Sequence, residues 1–123
     1  MLGDSMKKDK LVVTSLATEL LDDVFISYKK NLTDLSKKNN SGDPYSKIRN
    51  ALAKLSNEEQ VSIFNFIRLA MVDTSSVIFG TLDGSHFPPN IDGDFIVSYN
   101  GDEIQGSLQD ELISIAEEKG IYK

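Results

Sequence analysis

The sequence of 123 residues contains no cysteine. Disulfide frameworks, thiolate zinc sites and cysteine nucleophiles are therefore excluded together, and the composition fits a reducing compartment. The N-terminus has lysines but no apolar run of signal-peptide length. The longest apolar stretch is interrupted by Asn65, Arg68 and Asp73 before it reaches membrane-spanning length. We expect a soluble, cytoplasmic protein that does not enter a membrane.

Histidine is nearly absent as well, since His86 is the only one. Histidine-based catalysis or metal binding would depend on this residue alone, and an ordinary surface histidine is the favoured interpretation. The sequence also lacks a glycine-rich phosphate loop, a helix with paired histidines and a nucleophile-elbow pattern. Most familiar enzyme classes therefore have no support, and we predict no catalytic residue, no metal and no cofactor.

Basic residues are scarce in the second part of the chain. Residues 1–56 hold ten Lys or Arg against seven acids, whereas residues 57–123 hold three against twelve. Nucleic-acid binding is disfavoured, because its affinity comes from a basic footprint on phosphates. The acidic part would attract a basic protein partner, although a net charge away from zero also keeps small proteins soluble. Both interpretations stay open at this point.

Apolar periodicity predicts three N-terminal helices. From about residue 11 to 38, apolar residues recur at steps of three and four. The motif NNSGDP at residues 39–44 predicts a turn, after which Asp43 caps a second helix that begins at Pro44. The capping box SNEE at residues 56–59 begins the third helix. Apolar residues cover most of the circumference of this helix, so we expect it to be central and buried.

A β-hairpin and a last helix complete the predicted fold. The segment DFIVSYNGDEIQG predicts a hairpin near residues 94–105 that turns at Asn100 and Gly101, because both central residues of a type I′ turn need positive φ. Ser107, with an acid three positions later, predicts the N-cap of a C-terminal helix, and Gly120 suits the left-handed position at its end.

These elements together predict a mostly helical α+β fold. The sequence has no interior linker long enough to divide the chain, so we expect one domain over residues 11–123, preceded by a flexible N-terminus at residues 1–10. The apolar stripe of the first helix offers an interface for a homo-oligomer.

Two charged residues interrupt the apolar pattern of the third helix. Arg68 and Asp73 are five positions apart, too far around the helix to pair with each other, so each needs another partner. Asp73 could cap a restart of the helix at DTSS, or it could meet a lysine of the first helix. The functional alternative is a polar pocket lined by Arg68, Asp73, Thr74 and Ser76.

The acidic segment DGDFIVSYNGDE, residues 92–103, invites a test for calcium binding. Its acids fit positions one, three and twelve of an EF-hand loop, but Ile96 takes position five and Val97 takes position six. Calcium is therefore not expected, and the segment is interpreted as a partner-binding surface that combines acids with aromatic anchors. The predicted contact residues are Asp92, Asp94, Asp102, Glu103, Phe87 and Tyr99.

Residues 56–104 resemble small bacterial proteins of unassigned function, some of which are similar to immunity proteins that protect a cell from a toxin. The likeness lies in Val72-Asp73 within the helix SNEEQVSIFNFIRLAMVDTSSVIFG, in the following Leu-Asp-Gly and in the hairpin. It implies no catalytic residues. We therefore expect a cytoplasmic protein of immunity-protein type that docks its acidic surface onto a basic protein partner. The alternative is a small-ligand-binding or minor enzymatic domain with a polar pocket around Arg68 and Asp73.

Overall fold

The computed structural model describes residues 7–37 and 42–123, and it is mostly helical with one small antiparallel hairpin. The N-terminal residues 1–6 and part of the predicted turn at 39–44 lie outside the described residues, and the first helix already begins at Lys8. In chain order the elements are α1 (Lys8–Thr18), a π-helical segment (Glu19–Val24), α2 (Phe25–Leu32), α3 (Pro44–Leu52), α4 (Asn57–Asp83), β1 (Ser98–Tyr99), β2 (Asp102–Glu103) and α5 (Leu108–Glu118).

The first helix is continuous through its π-helical segment, because the residues at both junctions keep helical backbone angles. Its buried side chains are four residues apart, at Val13, Ala17, Leu21 and Phe25. An α-helix has 3.6 residues per turn, so side chains spaced four residues apart move gradually around its axis. A π-helix has more residues per turn, and the π-helical segment therefore turns the later side chains back toward the same side. The buried stripe therefore stays on one side, although the helix ends at Leu32 instead of residue 38.

Two apolar clusters form the core, and α4 contributes to both. The larger cluster joins α1, α5 and the second part of α4 through residues such as Leu21, Val72 and Leu112. The smaller cluster joins α2, α3 and the first part of α4 through Phe25, Leu52 and Phe64. All the helices that pack against α4 therefore contact the side that carries Phe64 and Val72.

The prediction that α4 is buried on all sides is wrong. Within it only Phe64, Val72, Phe79 and Gly80 are buried, whereas Phe66 is 68% exposed. The reason is that the other helices cover one side of α4 and leave the opposite side in solvent. The expectation that no apolar segment reaches membrane-spanning length is also wrong, because α4, alone among the described residues, forms a helix long and apolar enough to cross a membrane. This test of length and composition is weak, since the core helix of a soluble protein passes it as well.

The helix restart proposed for Asp73 is also wrong. The helix α4 runs unbroken from Asn57 to Asp83, and Asp73 is an exposed residue in its interior. The Ser75 hydroxyl donates to the Met71 carbonyl, one turn earlier in the helix, at 2.8 Å. Serine side chains commonly make this bond inside a helix. The polar run DTSS is therefore accommodated without interrupting the helix.

Three of the predicted local end signals of the helices are confirmed. The Asp43 carboxylate accepts from the Tyr45 and Ser46 amides at the start of α3. At the start of α4, Ser56 and Glu59 form both hydrogen bonds of the capping box. After α5 the chain closes in a Schellman motif, in which Gly120 has φ 71° and the Ile121 amide donates to the Ala116 carbonyl at 3.1 Å.

The hairpin is present, but it is shorter than the predicted 94–105. Asn100 and Gly101 have φ of 51° and 89°, as the predicted type I′ turn requires. Ser98 and Tyr99 pair with Glu103 and Asp102, respectively. Beyond these residues the Ile104 amide still donates to the Val97 carbonyl at 2.8 Å, but the Val97 amide donates to the Gln105 side chain at 2.9 Å in place of a strand partner.

The N-terminus of α5 is capped by a remote residue, not by Ser107. The Ser107 side chain makes no capping hydrogen bond. The Asp83 carboxylate, at the end of α4, instead accepts from the amides of Gly106 (2.6 Å), Leu108 (3.1 Å) and Gln109 (2.8 Å). One carboxylate thus satisfies three donors and binds the end of α4 to the start of α5.

A close approach of α4 and α5 follows from this cap. The Gln109 side chain donates to the carbonyl and the hydroxyl of Ser76, at 3.1 Å and 3.0 Å. It lies so near Gly80 that a Cβ at that position would come within 2.8 Å of the Gln109 amide nitrogen. A side chain at position 80 would therefore have to displace the end of the flexible Gln109 side chain.

We expect Asp83→Ala to lower the free energy of unfolding by about 1–2 kcal/mol, because three amides at the start of α5 lose their acceptor. Chemical denaturation monitored by circular dichroism measures this loss. The matched control is Ser107→Ala, which removes the hydroxyl predicted from sequence and should change stability by less than about 0.5 kcal/mol. A larger loss for the serine variant than for the aspartate variant would contradict the remote cap.

Candidate partner-binding surface

The predicted contact residues all lie on the solvent-exposed surface of the loop and hairpin that follow α4. Residues 84–87 and 89–96 are exposed, and so are both strands. Phe87 is 59% exposed and Tyr99 is 45% exposed. Asp92 and Asp94 make no hydrogen bond or ion pair within the described part of the chain. We call residues 86–103 the acidic surface.

The hairpin end of the acidic surface is attached to the start of α1. The Lys8 ammonium lies 2.6 Å from an Asp102 carboxylate oxygen and donates to the Asn100 carbonyl at 3.1 Å. Glu103 accepts from the Gln105 side chain at 3.2 Å. The charge of Asp102 is therefore partly neutralised by Lys8, a partner that the sequence does not indicate. Asp92 and Asp94 are the acids of this surface whose charge no described residue neutralises.

Several further apolar side chains of the acidic surface are exposed, although their exposure was not predicted from the sequence. Ile91, Phe95 and Ile96 are 44%, 40% and 71% exposed, in addition to Phe87 and Tyr99. Phe95 falls within the predicted hairpin at residues 94–105, but the first strand begins only at Ser98. The sequence did contain a signal for this exposure. The neighbouring Gly, Pro and Asp residues indicate a loop, and apolar side chains in a loop are not covered by a sheet.

Arg68 is a structural residue at the junction of three elements. Its Nη2 lies 2.8 Å from Asp22 Oδ1, and its Nε donates to the Leu21 carbonyl at 3.0 Å. The guanidinium also lies over the Phe25 ring, 5.3 Å from its centre. The other Asp22 oxygen, Oδ2, accepts from the Lys119 ammonium at 2.9 Å. One carboxylate therefore joins the first helix to α4 and to the end of α5.

The four residues of the predicted polar pocket do not share a contact. Arg68 reaches toward Asp22, and Ser76 accepts from Gln109 on α5. Asp73 and Thr74 are exposed, and no hydrogen bond or ion pair between described residues joins any two of the four. Successive residues of an α-helix point about 100° apart, which explains why neighbours in sequence face different surroundings here.

Glu111 is a carboxylate in an unfavourable position between α1 and α5. Its Oε2 is buried and has no hydrogen-bond partner among the described residues. Burial raises the pKa of Glu111, and the nearby negative charge of Asp9 raises it further. The group therefore favours its protonated form more than an exposed glutamate does.

The described residues contain no group of three acids or histidines placed to hold a metal ion. The only histidine, His86, is exposed in the loop after α4. Comparison of the chain with protein-family models, with curated proteins and with solved structures finds no match. No relative therefore assigns a role to any residue of the acidic surface.

We expect Asp22→Asn to lower stability at neutral pH by about 1 kcal/mol, since the two ion pairs are only partly exposed. The hydrogen bond from Lys119 is the largest cause that lowers the pKa of Asp22, with a further contribution from Arg68. The stabilisation is therefore present above the ordinary pKa of aspartate and is lost as pH falls through the lower value of the folded state.

Denaturation of both proteins between neutral and strongly acidic pH measures this effect, and the difference should shrink as the pH falls. Asp23→Asn is the matched control, because Asp23 is the exposed neighbour of Asp22 and makes no hydrogen bond or ion pair with another described residue. Equal losses of stability for the two variants, or a difference in stability that does not change with pH, would contradict a stabilising role of the Asp22 ion pairs.

We expect Glu111→Gln to raise stability at neutral pH. A carboxyl whose pKa is raised by folding contributes stability at low pH and loses that contribution as pH rises through the folded value. The gain of the glutamine variant should therefore be present at neutral pH and disappear below the ordinary pKa of glutamate. Thermal unfolding at several pH values measures it, with Glu118→Gln, on the exposed side of α5, as the variant that should not respond.

Proposed function

We propose that the chain is a binding protein of immunity-protein type, which docks the acidic surface onto a basic protein partner and does no chemistry of its own. The observation that carries the proposal is the exposure of apolar and acidic side chains together over residues 86–103. Partner contacts in proteins commonly combine a few large apolar anchors with a polar, charged surround.

Phe87, Ile96 and Tyr99 are the anchors in this proposal. Their side chains are 59%, 71% and 45% exposed, so a partner can remove a large apolar area from water by covering them. Asp92 and Asp94 lie in the same segment and make no ion pair within the described residues. The anchors supply the favourable burial, and the free carboxylates select a partner of positive charge.

The attachment of the hairpin supports docking as a preformed surface. Ile104 is buried directly after β2, and the Lys8 ammonium holds the turn from the side of α1. The Gln105 side chain accepts a hydrogen bond from the Val97 amide, directly before β1. The hairpin end of the acidic surface, held at these three points, loses less conformational entropy on binding than a free loop does, which favours affinity.

The experiment needs a defined partner, and we would take the basic proteins encoded by the genes that adjoin this one. Each is purified and titrated with the chain by calorimetry. For a binder, the combined substitutions Asp92→Lys, Asp94→Lys and Glu103→Lys should weaken binding at least tenfold and abolish protection of cells that express the partner. Phe87→Ala should weaken binding without changing its salt dependence.

The matched control reverses three exposed acids outside the acidic surface, at Glu19, Glu117 and Glu118. It changes the net charge of the protein by the same amount, so it separates a local docking site from general attraction between opposite charges. Equal weakening by both triple variants, or no binding by any adjoining basic protein, would overturn the proposal.

A further inference from the structure

The side of the first helix that faces away from the core borders an open cavity. The apolar stripe of this helix, which we expected to offer an oligomer interface, is buried in the core of the same chain at Val13, Ala17 and Leu21. A cavity of about 440 Å³ lies beside the exposed part of the helix and extends to Tyr45, at the start of α3. Its volume is within the range of small-ligand sites, about 300–1,000 Å³.

Two parallel tyrosine rings line this cavity. Tyr28 on α2 and Tyr45 on α3 have ring centres 6.4 Å apart and ring planes inclined by 11°. At this separation neither ring fully covers the face of the other, and the two residues are 43% and 44% exposed. The face of an aromatic ring attracts cations, and it also packs against methylene groups. The rings therefore suit a cationic ligand with an aliphatic body.

Two carboxylates lie next to the rings. Glu19 and Asp23 are four residues apart in the first helix, so they share one side of it, with about 6 Å between their Cβ atoms. Both are exposed, and neither makes a hydrogen bond or an ion pair with another described residue. No lysine or arginine is among the described residues that line the cavity.

The base that approaches the cavity does so at its other end. The Arg49 guanidinium donates to the side-chain oxygen of Asn31, which lines the cavity near the end of α2. Asn31 is eight residues from Asp23, or about 12 Å along the helix. This distance exceeds the Debye length of about 8 Å at physiological salt. The two carboxylates therefore keep a negative charge that Arg49 does not neutralise.

The π-helical segment supplies three of the residues that line the cavity, Glu19, Asp23 and Val24. π-Helical turns are rare and are frequent at functional sites. The same segment directs Leu21 and Asp22 toward the other helices. It therefore holds the core on one side and presents two carboxylates beside the tyrosine rings on the other.

We propose that this cavity binds a linear aliphatic polyamine, with ammonium groups at Glu19 and Asp23 and its methylene chain on the rings of Tyr28 and Tyr45. A polyamine carries positive charges separated by short methylene chains, which matches two carboxylates one helical turn apart better than a single charge does. The methylene chain gains apolar contact with the rings, which a hydrated metal ion does not. The site depends neither on the acidic surface nor on the proposed function.

The ring signals of tyrosine in NMR spectra test the binding, because the chain has four tyrosines and no tryptophan. On titration with spermidine at physiological salt, the signals of Tyr28 and Tyr45 should shift and saturate, with a dissociation constant of about 0.1–1 mM for a small ligand at an open site. The signals of Tyr99 and Tyr122 should not move. Equal shifts at Tyr99, on the acidic surface, or shifts that do not saturate would overturn the inference.

Paired substitutions separate this site from general attraction to negative charge. Glu19→Gln combined with Asp23→Asn should weaken spermidine binding at least about fivefold, because both ammonium groups lose their partners. Asp92→Asn combined with Asp94→Asn removes the same charge from exposed positions of the acidic surface and should leave the affinity unchanged. Equal weakening by the two double variants would overturn the inference.

The role of the rings is tested by Tyr28→Leu, which keeps an apolar side chain but removes the aromatic face. Calorimetry should show spermidine binding weakened about threefold. The matched control is Tyr99→Leu, at a tyrosine of similar exposure that lies outside the cavity, and it should have no effect. Equal affinities for the wild type and the Tyr28 variant would overturn the inference.

Two competing ligands test the chemical class. Butylamine, with one charge, should bind at least about fivefold more weakly than spermidine, because it can engage only one of the two carboxylates. Magnesium ions should displace spermidine only at much higher concentration, since they gain nothing from the rings. Butylamine that binds as tightly as spermidine, or magnesium that displaces it at equal concentration, would overturn the assignment to a polyamine.

Discussion

The carboxylate of Asp22 is the contact on which the arrangement of the helices depends. It lies in the π-helical segment of the first helix, and it accepts from Arg68 of α4 and from Lys119 at the end of α5. Leu21 belongs to the larger apolar cluster and Phe25 to the smaller one, so the ion pairs lie where the two clusters meet. Apolar packing does not depend on the orientation of the groups that meet, whereas hydrogen-bonded ion pairs do. The Asp22 contacts therefore favour one arrangement of the three helices over others.

The one-sided packing of α4 agrees with this junction and decides which of its side chains stay exposed. With Arg68 directed at Asp22, the same side of α4 also carries Phe64 and Val72 into the two clusters. The opposite side, with Phe66 and Ala70, is left in solvent. The end of α4 is held by the Asp83 cap, which also sets where the chain leaves for the acidic surface. The helix therefore has one exposed apolar side, and the loop that leads to the acidic surface begins at its end.

The acidic surface shows which features of a site can be predicted from the sequence and which depend on the tertiary structure. The acids at positions 92, 94, 102 and 103 are evident in the sequence, and so is the turn at Asn100 and Gly101. The neutralisation of Asp102 by Lys8 is not evident, because the two residues are far apart in the chain and meet only when α1 passes the hairpin. The four residues of the predicted pocket share no contact for a related reason. The partners of Arg68 and Ser76 lie on other helices.

The sequence by itself determined the features whose partners lie within a few residues. The Asp43 cap, the capping box at Ser56, the type I′ turn and the closure at Gly120 are of this kind, since backbone geometry alone brings their atoms together. Only the tertiary structure decided the cap of α5 by Asp83, the ion pairs of Asp22 and the exposure of Phe66. Those contacts join residues 23 to 97 positions apart, and burial depends on which helices cover a face, so no local pattern contains them.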